Sequence, residues 1–311
     1  MKRMFAAMRV VLTLSLLLVL IGFVITKEAP IKEFFQSLFD FRKSDRLEKN
    51  QYYSDNSYQF VQNAKTFLPM SYQEILNIYY TVLNSGMNSF TFYCPYEYPS
   101  CISDIKSLAN NQEVLSAINN YVHPYNSFHH IETEYDTLGR VTIEATKSYT
   151  NEQIQKIEQE VDRLYPQLVN ENRSVRENIR SIHDYIINNT RYDSLRNEQD
   201  IIQYHSDIAY GPLFEGYAIC GGYTDLMELF LTKMGVPNYK VSSDNHIWNA
   251  VEIDNQWYHL DLTWDDPVSG DGTDYLEYTY FLISTPTLLA GDMSQHSFYL
   301  EYYPELNEIG S

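Results

Sequence analysis

Basic residues are scarce in this sequence of 311 residues. Its 22 lysines and arginines stand against 41 aspartates and glutamates, which gives a net charge of −19. Nucleic-acid binding requires a basic face that neutralises phosphates, and adsorption of a folded body to anionic lipid requires the same. The sequence also contains no phosphate-binding glycine loop and no dinucleotide-binding signature. We therefore predict no nucleic-acid partner and no cofactor.

Cysteine is equally scarce, with three residues in the chain. Cys94 and Cys101 flank a short loop that contains two prolines. In an exported protein such a pair can form a disulfide, and the alternative is two unpaired, buried small residues. We predict the disulfide. Cys220 is then left over, and a leftover thiol in an exported protein is either a buried structural residue or a reactive group.

The longest apolar run lies near the N-terminus. Three basic residues precede it, and residues 10–25 carry no charge. A cleaved signal peptide needs a small-residue cleavage site, and residues 24–29 offer only weak ones. We therefore predict an uncleaved transmembrane helix within residues 1–27 that anchors the protein in the cell membrane. The alternative is a signal peptide that is cleaved, which would leave a secreted protein. Because the basic residues come first, the body of the protein is expected on the extracellular side.

Three further regions follow this segment. Residues 28–55 are charged with isolated aromatic residues, and this pattern predicts a stalk. Residues 56–168 mix helical and strand-like spacing and are predicted to form a mixed N-terminal domain. Residues 169–311 contain the clearest patterns and are predicted to form the catalytic domain.

The spacing of apolar residues predicts an α+β fold. Helical spacing of three and four residues occurs over Tyr72–Leu83, Ile102–Val122, Asn151–Leu168, Val175–Asn189 and Cys220–Met234. Strand-like stretches are Ser89–Tyr93, His129–Tyr135, Arg140–Ala145, Tyr239–Ser242, His246–Ile253, Gln256–Thr263 and Tyr275–Ile283. Turn sequences at 136–139 and 254–255 predict two antiparallel hairpins.

Cys220 lies at the predicted start of a helix that runs to Met234. Unpaired N–H groups and the helix dipole put partial positive charge at this end of a helix, and that charge stabilises a thiolate. Gly221 and Gly222 follow, and glycine permits a close approach of other backbone or of a substrate carbonyl. Backbone N–H groups here could hold an oxyanion. A packed structural cysteine at a glycine-rich helix start is the alternative.

His246 and Asp261 fall on one face of a predicted hairpin. With the turn at Asp254-Asn255, Trp248 pairs with Asp261, and His246 lies two residues before Trp248 on the same face. The two side chains are then diagonal neighbours within reach of each other. A carboxylate there accepts a hydrogen bond from one imidazole nitrogen and leaves the other nitrogen for a thiol. The alternative is a structural His–Asp pair.

All three tryptophans lie within nineteen residues of His246, at Trp248, Trp257 and Trp264. They could form the wall of a pocket that excludes water, or the core of a small sheet. We predict substrate contacts from Trp248, Trp264 and Gly221, and from Tyr217, which precedes the cysteine. Adjacent His129 and His130 would point to opposite faces of a strand, so we predict no metal site.

Three segments resemble the transglutaminase-like superfamily. They are Cys220-Gly-Gly-Tyr, His246-Ile-Trp-Asn and Trp257-Tyr-His-Leu-Asp261-Leu-Thr-Trp-Asp-Asp266. The resemblance covers about residues 170–290. Within the superfamily, the segments resemble more specifically the bacterial members that have a papain-type triad. Ala218 and Thr224 depart from the glycine and alanine that are frequent in that family. Neither departure removes a reacting group.

The resemblance implies a papain-like core, in which a helix that begins at the cysteine packs on an antiparallel sheet. It also implies that Cys220 is the nucleophile, His246 the base and Asp261 the residue that orients the base. The expected chemistry is acyl transfer from peptide or glutamine amides through a thioester. Hydrolysis is preferred slightly, with protein cross-linking or a non-catalytic cell-surface binding module as alternatives. The expected partner is a protein or peptide, such as a cell-wall peptide.

Overall fold

The structure is a computed structural model that describes residues 48–54, 58, 68–267, 275–291 and 293–307. The predicted anchor over 1–27 and most of the predicted stalk over 28–55 lie outside these residues. Among the described residues, no helix combines the length and the apolar character that a membrane crossing requires. The division into 1–27, 28–55, 56–168 and 169–311 stays a prediction.

The first described helix forms where the sequence supplies both an apolar stripe and a cap. Helix α1 spans Tyr72–Asn84, and the Ser71 side chain caps it by accepting a hydrogen bond from the Glu74 N–H. Strand β1 is Ser89–Tyr93, helix α2 is Cys101–Ala109 and helix α3 is Gln112–Asn120. The predicted single helix over 102–122 was wrong.

Asn111 explains why that stretch forms two helices. Its side-chain oxygen accepts a hydrogen bond from the Val114 N–H at 3.1 Å and caps the start of α3. Asparagine competes for backbone hydrogen bonds in this way, which favours a cap over a helix interior. Helix α2 therefore ends at Ala109, and α3 begins again at Gln112.

Strands β2 (Phe128–Tyr135) and β3 (Arg140–Lys147) form the predicted hairpin. Together with β1 they make an antiparallel sheet in the order β1-β3-β2. The Asp136 carboxylate accepts hydrogen bonds from the N–H groups of Leu138 and Arg140, and Gly139 takes a φ of +89°. A side chain at Gly139 would come within 2.9 Å of the Cys94 carbonyl, so the turn sequence also permits the contact with the loop at Cys94.

Cys94 and Cys101 are joined in a disulfide that closes this loop, with their Cα atoms 5.7 Å apart. Cys101 is the buried first residue of α2, and the Cys94 N–H donates to the Gly139 carbonyl. The bond therefore connects the end of β1 to α2.

Replacing both cysteines, as Cys94→Ala with Cys101→Ala, should lower the free energy of unfolding by roughly 2–3 kcal/mol, because the short loop loses its constraint in the unfolded chain. Urea unfolding of the oxidised protein measures the change. A Cys220→Ala variant serves as the control because it keeps the disulfide. Equal stability of the double variant and the wild type would contradict a structural role for the bond.

Two long helices begin with side-chain caps. Helix α4 spans Asn151–Leu168 and helix α5 spans Val175–Asn189. Each begins with a capping box, formed by Thr150 with Gln153 in α4 and by Ser174 with Glu177 in α5. Both helices were predicted from their apolar spacing.

A series of short elements leads from α5 to the cysteine. Strand β4 (Arg191–Tyr192) pairs in parallel with β5 (Tyr217–Ala218), and between them lie α6 (Ser194–Gln199) and one turn of π-helix over 211–215. Helix α7 then begins at Cys220 and ends at Lys233.

The second antiparallel sheet has the order β6-β7-β8. Its strands are Asn238–Ser242, Ile247–Ile253 and Gln256–Leu260. The turn residues Asp254 and Asn255 have φ values of +54° and +59°, as a tight hairpin turn requires. Ile253 pairs with Gln256 and Asn249 with Leu260, which confirms the predicted register.

The predicted strand over 275–283 was wrong. The described part of this stretch is irregular and joins the sheet at a single bridge between His259 and Ile283. Helix α8 (Thr285–Leu289) and two 3₁₀ turns, Leu300–Tyr302 and Pro304–Asn307, complete the described chain. Aromatic residues gave this stretch its strand-like composition. In the structure their side chains pack individually: Tyr278 and Phe281 against His183, and Tyr280 against Trp264.

One apolar core lies between helices α4, α5 and α7 and the second sheet. Its fully buried members include Ile157 of α4, Ile182 of α5, Phe230 of α7 and Val251 of β7. Helix α7 is buried from Gly222 to Leu231 because it packs on both sides. The core therefore holds the start of α7 in a fixed position relative to the sheet.

Candidate active site

Cys220 is the first residue of α7, as predicted. Ile219 before it is extended, with φ −102° and ψ −179°, so the helix begins abruptly at the cysteine. Within the described part of the chain no side chain caps this N-terminus, and Cys220 is a free, partly exposed thiol. Backbone N–H groups and the positive end of the helix dipole thus surround an accessible sulfur.

Gly221 and Gly222 allow another part of the chain to pass against this helix start. A Cβ at Gly221 would lie 2.7 Å from the Asp207 carbonyl oxygen, and one at Gly222 would lie 2.4 Å from that of Ser206. The same Ser206 carbonyl accepts a hydrogen bond from the Ile219 N–H. Both glycines therefore have a packing role against this segment of the chain, and a substrate contact from Gly221 stays a prediction.

The hairpin brings His246 and Asp261 together. His246 directly precedes β7 and Asp261 directly follows β8, so the register of the two strands sets their separation. The His246 Nε2 donates to Asp261 Oδ2 at 2.6 Å, and both side chains are buried. A hydrogen bond with Cys220 is among the interactions that raise the pKa of His246, and since Nε2 bonds to Asp261, Nδ1 is the nitrogen left for the thiol. The structure thus assembles all three predicted residues in one place.

Charge interactions outweigh burial at this pair. Burial by itself would lower the pKa of His246, but the negative charge of Asp261 and hydrogen bonds with Asp261 and Cys220 raise the pKa to about 10. Burial would raise the pKa of Asp261, but the charge of His246 and hydrogen bonds from His246 and His296 hold that pKa below its usual range. An imidazolium at position 246 and a carboxylate at 261 are therefore the stable forms at neutral pH.

Both carboxylate oxygens of Asp261 are fully engaged. Oδ1 accepts the backbone N–H groups of Thr263 and Trp264 at 3.0 and 3.3 Å. Oδ2 accepts from His246 and also from His296 Nε2 at 2.8 Å. Four donors therefore fix the rotation of the carboxylate and stabilise its charge.

His296 is the site residue that sequence reasoning missed. It is fully buried, and its ring lies parallel to Tyr280 at 4.8 Å. It follows α8 in an irregular segment with no periodic pattern, so neither helical nor strand spacing could relate it to Asp261. Its one sequence signal was its membership of a set of eight histidines.

Trp248 lies beneath the imidazole of His246, and a substrate contact from it stays a prediction. None of its surface is exposed, and its ring lies below that of His246 at 5.6 Å. The indole N–H donates to His259 Nδ1 at 2.9 Å, and His259 Nε2 donates to Thr285. Burial lowers the pKa of His259 to about 3, which agrees with a neutral ring that accepts this bond. Trp248 therefore supports the imidazole from below.

The other predicted contacts remain partly exposed. Trp264 donates its indole N–H to the Gln295 side chain and packs edge-on against Tyr280. Tyr217 lies on β5, three residues before the cysteine, with its ring stacked on Tyr204 at 4.2 Å. Substrate contacts from Trp264 and Tyr217 stay predictions.

His246, Asp261 and His296 also have the residue types of a metal site. Their ligand atoms lie within 4.8 Å of one another. However, the nitrogen–oxygen distances of 2.6 and 2.8 Å are those of charge-assisted hydrogen bonds, in which the Nε2 atoms carry protons. A metal ion at this point would require both nitrogens to lose those protons.

Stability should depend on pH through His246. Because its pKa is raised from 6.5 to about 10 on folding, the stabilising contribution is complete below pH 6.5 and is lost as the pH rises through about 10. Urea unfolding at pH 6.5 and 10.5 should show a smaller loss of stability in His246→Gln than in the wild type. Equal losses in both proteins would mean that another group controls this pH range.

Comparison with known proteins gives a family match over part of the chain. Residues 162–262 match the family model described as the transglutaminase-like superfamily. The search of curated proteins gave no significant match.

Two solved structures are similar over part of the chain. One is described as a TGase, with 15% identity and a TM-score of 0.34, over 46% of this chain and 46% of that one. The other is a proposed cysteine protease from Cytophaga hutchinsonii, with 15% identity and a TM-score of 0.29, over 48% of this chain and 65% of that one. The similarity thus spans less than two thirds of either protein. The family match shows that residues 162–262 are similar to the transglutaminase-like superfamily.

Proposed function

We propose that this protein is a cysteine acyl-transfer enzyme that acts on peptide or glutamine amides. The observation that carries the proposal is the contact between the Cys220 thiol at an uncapped helix start and His246, which is bonded in turn to Asp261. A nucleophile, a base and an orienting group in hydrogen-bonded sequence are the requirements of nucleophilic catalysis. The family match supports the same chemistry.

In the proposed reaction, the Cys220 sulfur attacks the amide carbon as a thiolate. The carbonyl oxygen takes up negative charge, and the N–H groups at the start of α7 are placed to stabilise it. The imidazolium of His246 donates its Nδ1 proton to the departing amine, and a thioester remains on the sulfur. His246 is then neutral and can remove a proton from the molecule that attacks the thioester. Asp261 stabilises the imidazolium at each stage.

The fate of the thioester decides the class of enzyme. Attack by water gives a carboxylic acid, so the protein would be a peptidase or amidase. Attack by a lysine amine gives an isopeptide bond, so it would be a cross-linking transglutaminase. We favour hydrolysis, because the described residues around Cys220 include no evident subsite for an amine.

We further propose that the catalytic body lies outside the cytoplasm, on the cell membrane. The Cys94–Cys101 disulfide supports this location, because disulfides persist in oxidising compartments. The charge-free run over 10–25 behind basic residues supports an N-terminal anchor. The substrate classes that fit this location are cell-wall peptides and surface proteins that present glutamine.

Incubation with cell-wall peptides and glutamine-containing proteins, followed by mass spectrometry, tests the proposal. Cleavage or deamidation with a trapped acyl–Cys220 adduct is the expected result. Isopeptide products with added lysine would identify a transglutaminase. Cys220→Ala is the control. If the wild type and the Cys220→Ala variant both bind a peptide or protein tightly and neither changes it covalently, the result would favour a binding module and contradict the proposal.

A further inference from the structure

We propose that His296 is a positioning residue for the reaction, and that it acts by donating a second imidazole N–H to the carboxylate that orients His246. This inference rests on the proposed function, because it assigns a role within the same site. It extends the Cys–His–Asp arrangement to a fourth group that comes from a different part of the chain.

The geometry at Asp261 Oδ2 is the first argument. This oxygen accepts from His246 Nε2 at 2.6 Å and from His296 Nε2 at 2.8 Å. The opposite oxygen is held by two backbone N–H groups, so the carboxylate cannot rotate without losing bonds. Without His296, Oδ2 would be held by His246 alone, and the carboxylate would follow the imidazole when that ring moves during the reaction.

The rigid placement of His296 is the second argument. Its ring lies parallel to Tyr280, and both Trp248 and Trp264 contact it at 5.0 Å between ring centroids. The preceding residue, Gln295, is held by two hydrogen bonds. Its side-chain oxygen accepts one from the Trp264 indole N–H, and its backbone carbonyl accepts one from the Ser243 hydroxyl. A ring held in this way has little freedom to leave the carboxylate.

Complete burial makes the bond consequential. None of the His296 side chain is exposed, and Asp261 is 1% exposed, so water cannot replace the donor. A buried charge that loses a hydrogen bond keeps the full cost of its desolvation. His296 therefore contributes to the stability of the ionised carboxylate, and through it to the imidazolium that the reaction needs at position 246.

Two substitutions separate donation from packing. His296→Gln keeps an N–H donor at a similar distance from the backbone and loses the ring. His296→Phe keeps the aromatic ring and loses the donor. A third variant, His123→Phe, is the matched control, because His123 is also buried and packed against aromatic rings, at Tyr52 and Tyr125.

The measurement is the rate of Cys220 alkylation by iodoacetamide in the full-length protein. Loss of one charge-assisted hydrogen bond should slow His296→Phe by about 10-fold or more. His296→Gln should stay within about 3-fold of the wild type, and the His123 control within about 2-fold, since neither removes a donor from Asp261. A Phe variant as reactive as the wild type would overturn the inference. An equal loss of Cys220 reactivity in the Gln and Phe variants would also overturn it, because a retained N–H donor would then not preserve the reactivity.

Proton NMR of histidine-labelled wild type keeps the inference testable if a variant does not fold. Two far-downfield N–H signals are expected, one from His246 and one from His296, and both should disappear in Asp261→Ala. Absence of the second signal would overturn the inference. Loss of Cys220 reactivity on treatment with a chelator would also overturn it, because it would identify His246, Asp261 and His296 as a metal site. If wild-type Cys220 is unreactive while both signals are present, the proposed function fails and the His296–Asp261 bond stands.

Discussion

An Asp261→Asn variant should turn over a peptide amide roughly 10²–10⁴-fold more slowly than the wild type while it keeps its fold. The amide of asparagine is neutral, so it cannot stabilise an imidazolium at His246. One of its atoms must also be an NH₂ group, which faces two histidine donors or two backbone donors in this structure. The rate of peptide-amide turnover measures the loss.

Asp265→Asn is the matched control for this experiment. Asp265 is also fully buried and also accepts from an imidazole, that of His183 at 3.1 Å. Its carboxylate accepts hydrogen bonds from His183 and from the Tyr280 N–H, and not from the histidine that faces Cys220, so we expect a change in stability and a turnover rate within about 3-fold of the wild type. Equal loss of rate in the two variants would show that Asp261 contributes to the fold of this region and has no special role at Cys220.

A Lys240→Met variant should lose roughly 3–5 kcal/mol of its free energy of unfolding. Lys240 of β6 is 3% exposed and donates to Asp225 of α7 at 3.0 Å, with Glu228 one turn further along the same helix at 3.6 Å. Removal of the lysine leaves the Asp225 carboxylate buried with a hydrogen bond from Tyr149 but without its counter-charge.

Burial also decides the charge state of this cluster. It raises the pKa of Glu228 to about 8, because the positive charge of Lys240 offsets desolvation only in part. At neutral pH the cluster is therefore a Lys–Asp ion pair beside a protonated glutamic acid. Since it lies between α7 and the second sheet, its loss would also disturb the placement of Cys220 relative to His246.

Lys233→Met is the control for the stability experiment. Lys233 is the last residue of α7 and pairs with Asp162 at the surface, where an ion pair contributes about 0–1 kcal/mol. Urea unfolding of both variants gives the comparison. A loss below 1 kcal/mol in Lys240→Met would mean that the pair is solvated or that methionine packing compensates for it.

The parts of the site that local rules control could be predicted from the sequence. The turn at Asp254-Asn255 set the register of two strands, and the register placed His246 beside Asp261. The helix start at Cys220 followed from the glycines and the apolar face behind it. In each case a short-range pattern, a turn or a helix terminus, determines the position of the side chain.

The parts that depend on tertiary packing could not be predicted. His296 reaches Asp261 from an irregular segment 35 residues later in the chain. Trp248 was expected to line a cleft because it lies close to His246 in the sequence. In the structure it is fully buried, because the irregular segment that contains His296 and Phe298 packs over it. Lys240 gave no sign of burial either, since its partners lie on α7 and only the packing of α7 on β6 brings them within reach.

The reactivity of Cys220 at neutral pH tests the central claim most directly. Alkylation of the full-length protein with iodoacetamide at pH 7, followed by mass spectrometry of the peptide that contains Cys220, gives its rate constant. We predict a rate roughly 10-fold or more above that of an ordinary exposed thiol, because an ordinary thiol is only a few per cent ionised at this pH. We also predict that the advantage disappears in His246→Ala. A wild-type rate equal to that of an ordinary thiol, or a fast rate that survives in His246→Ala, would contradict the account.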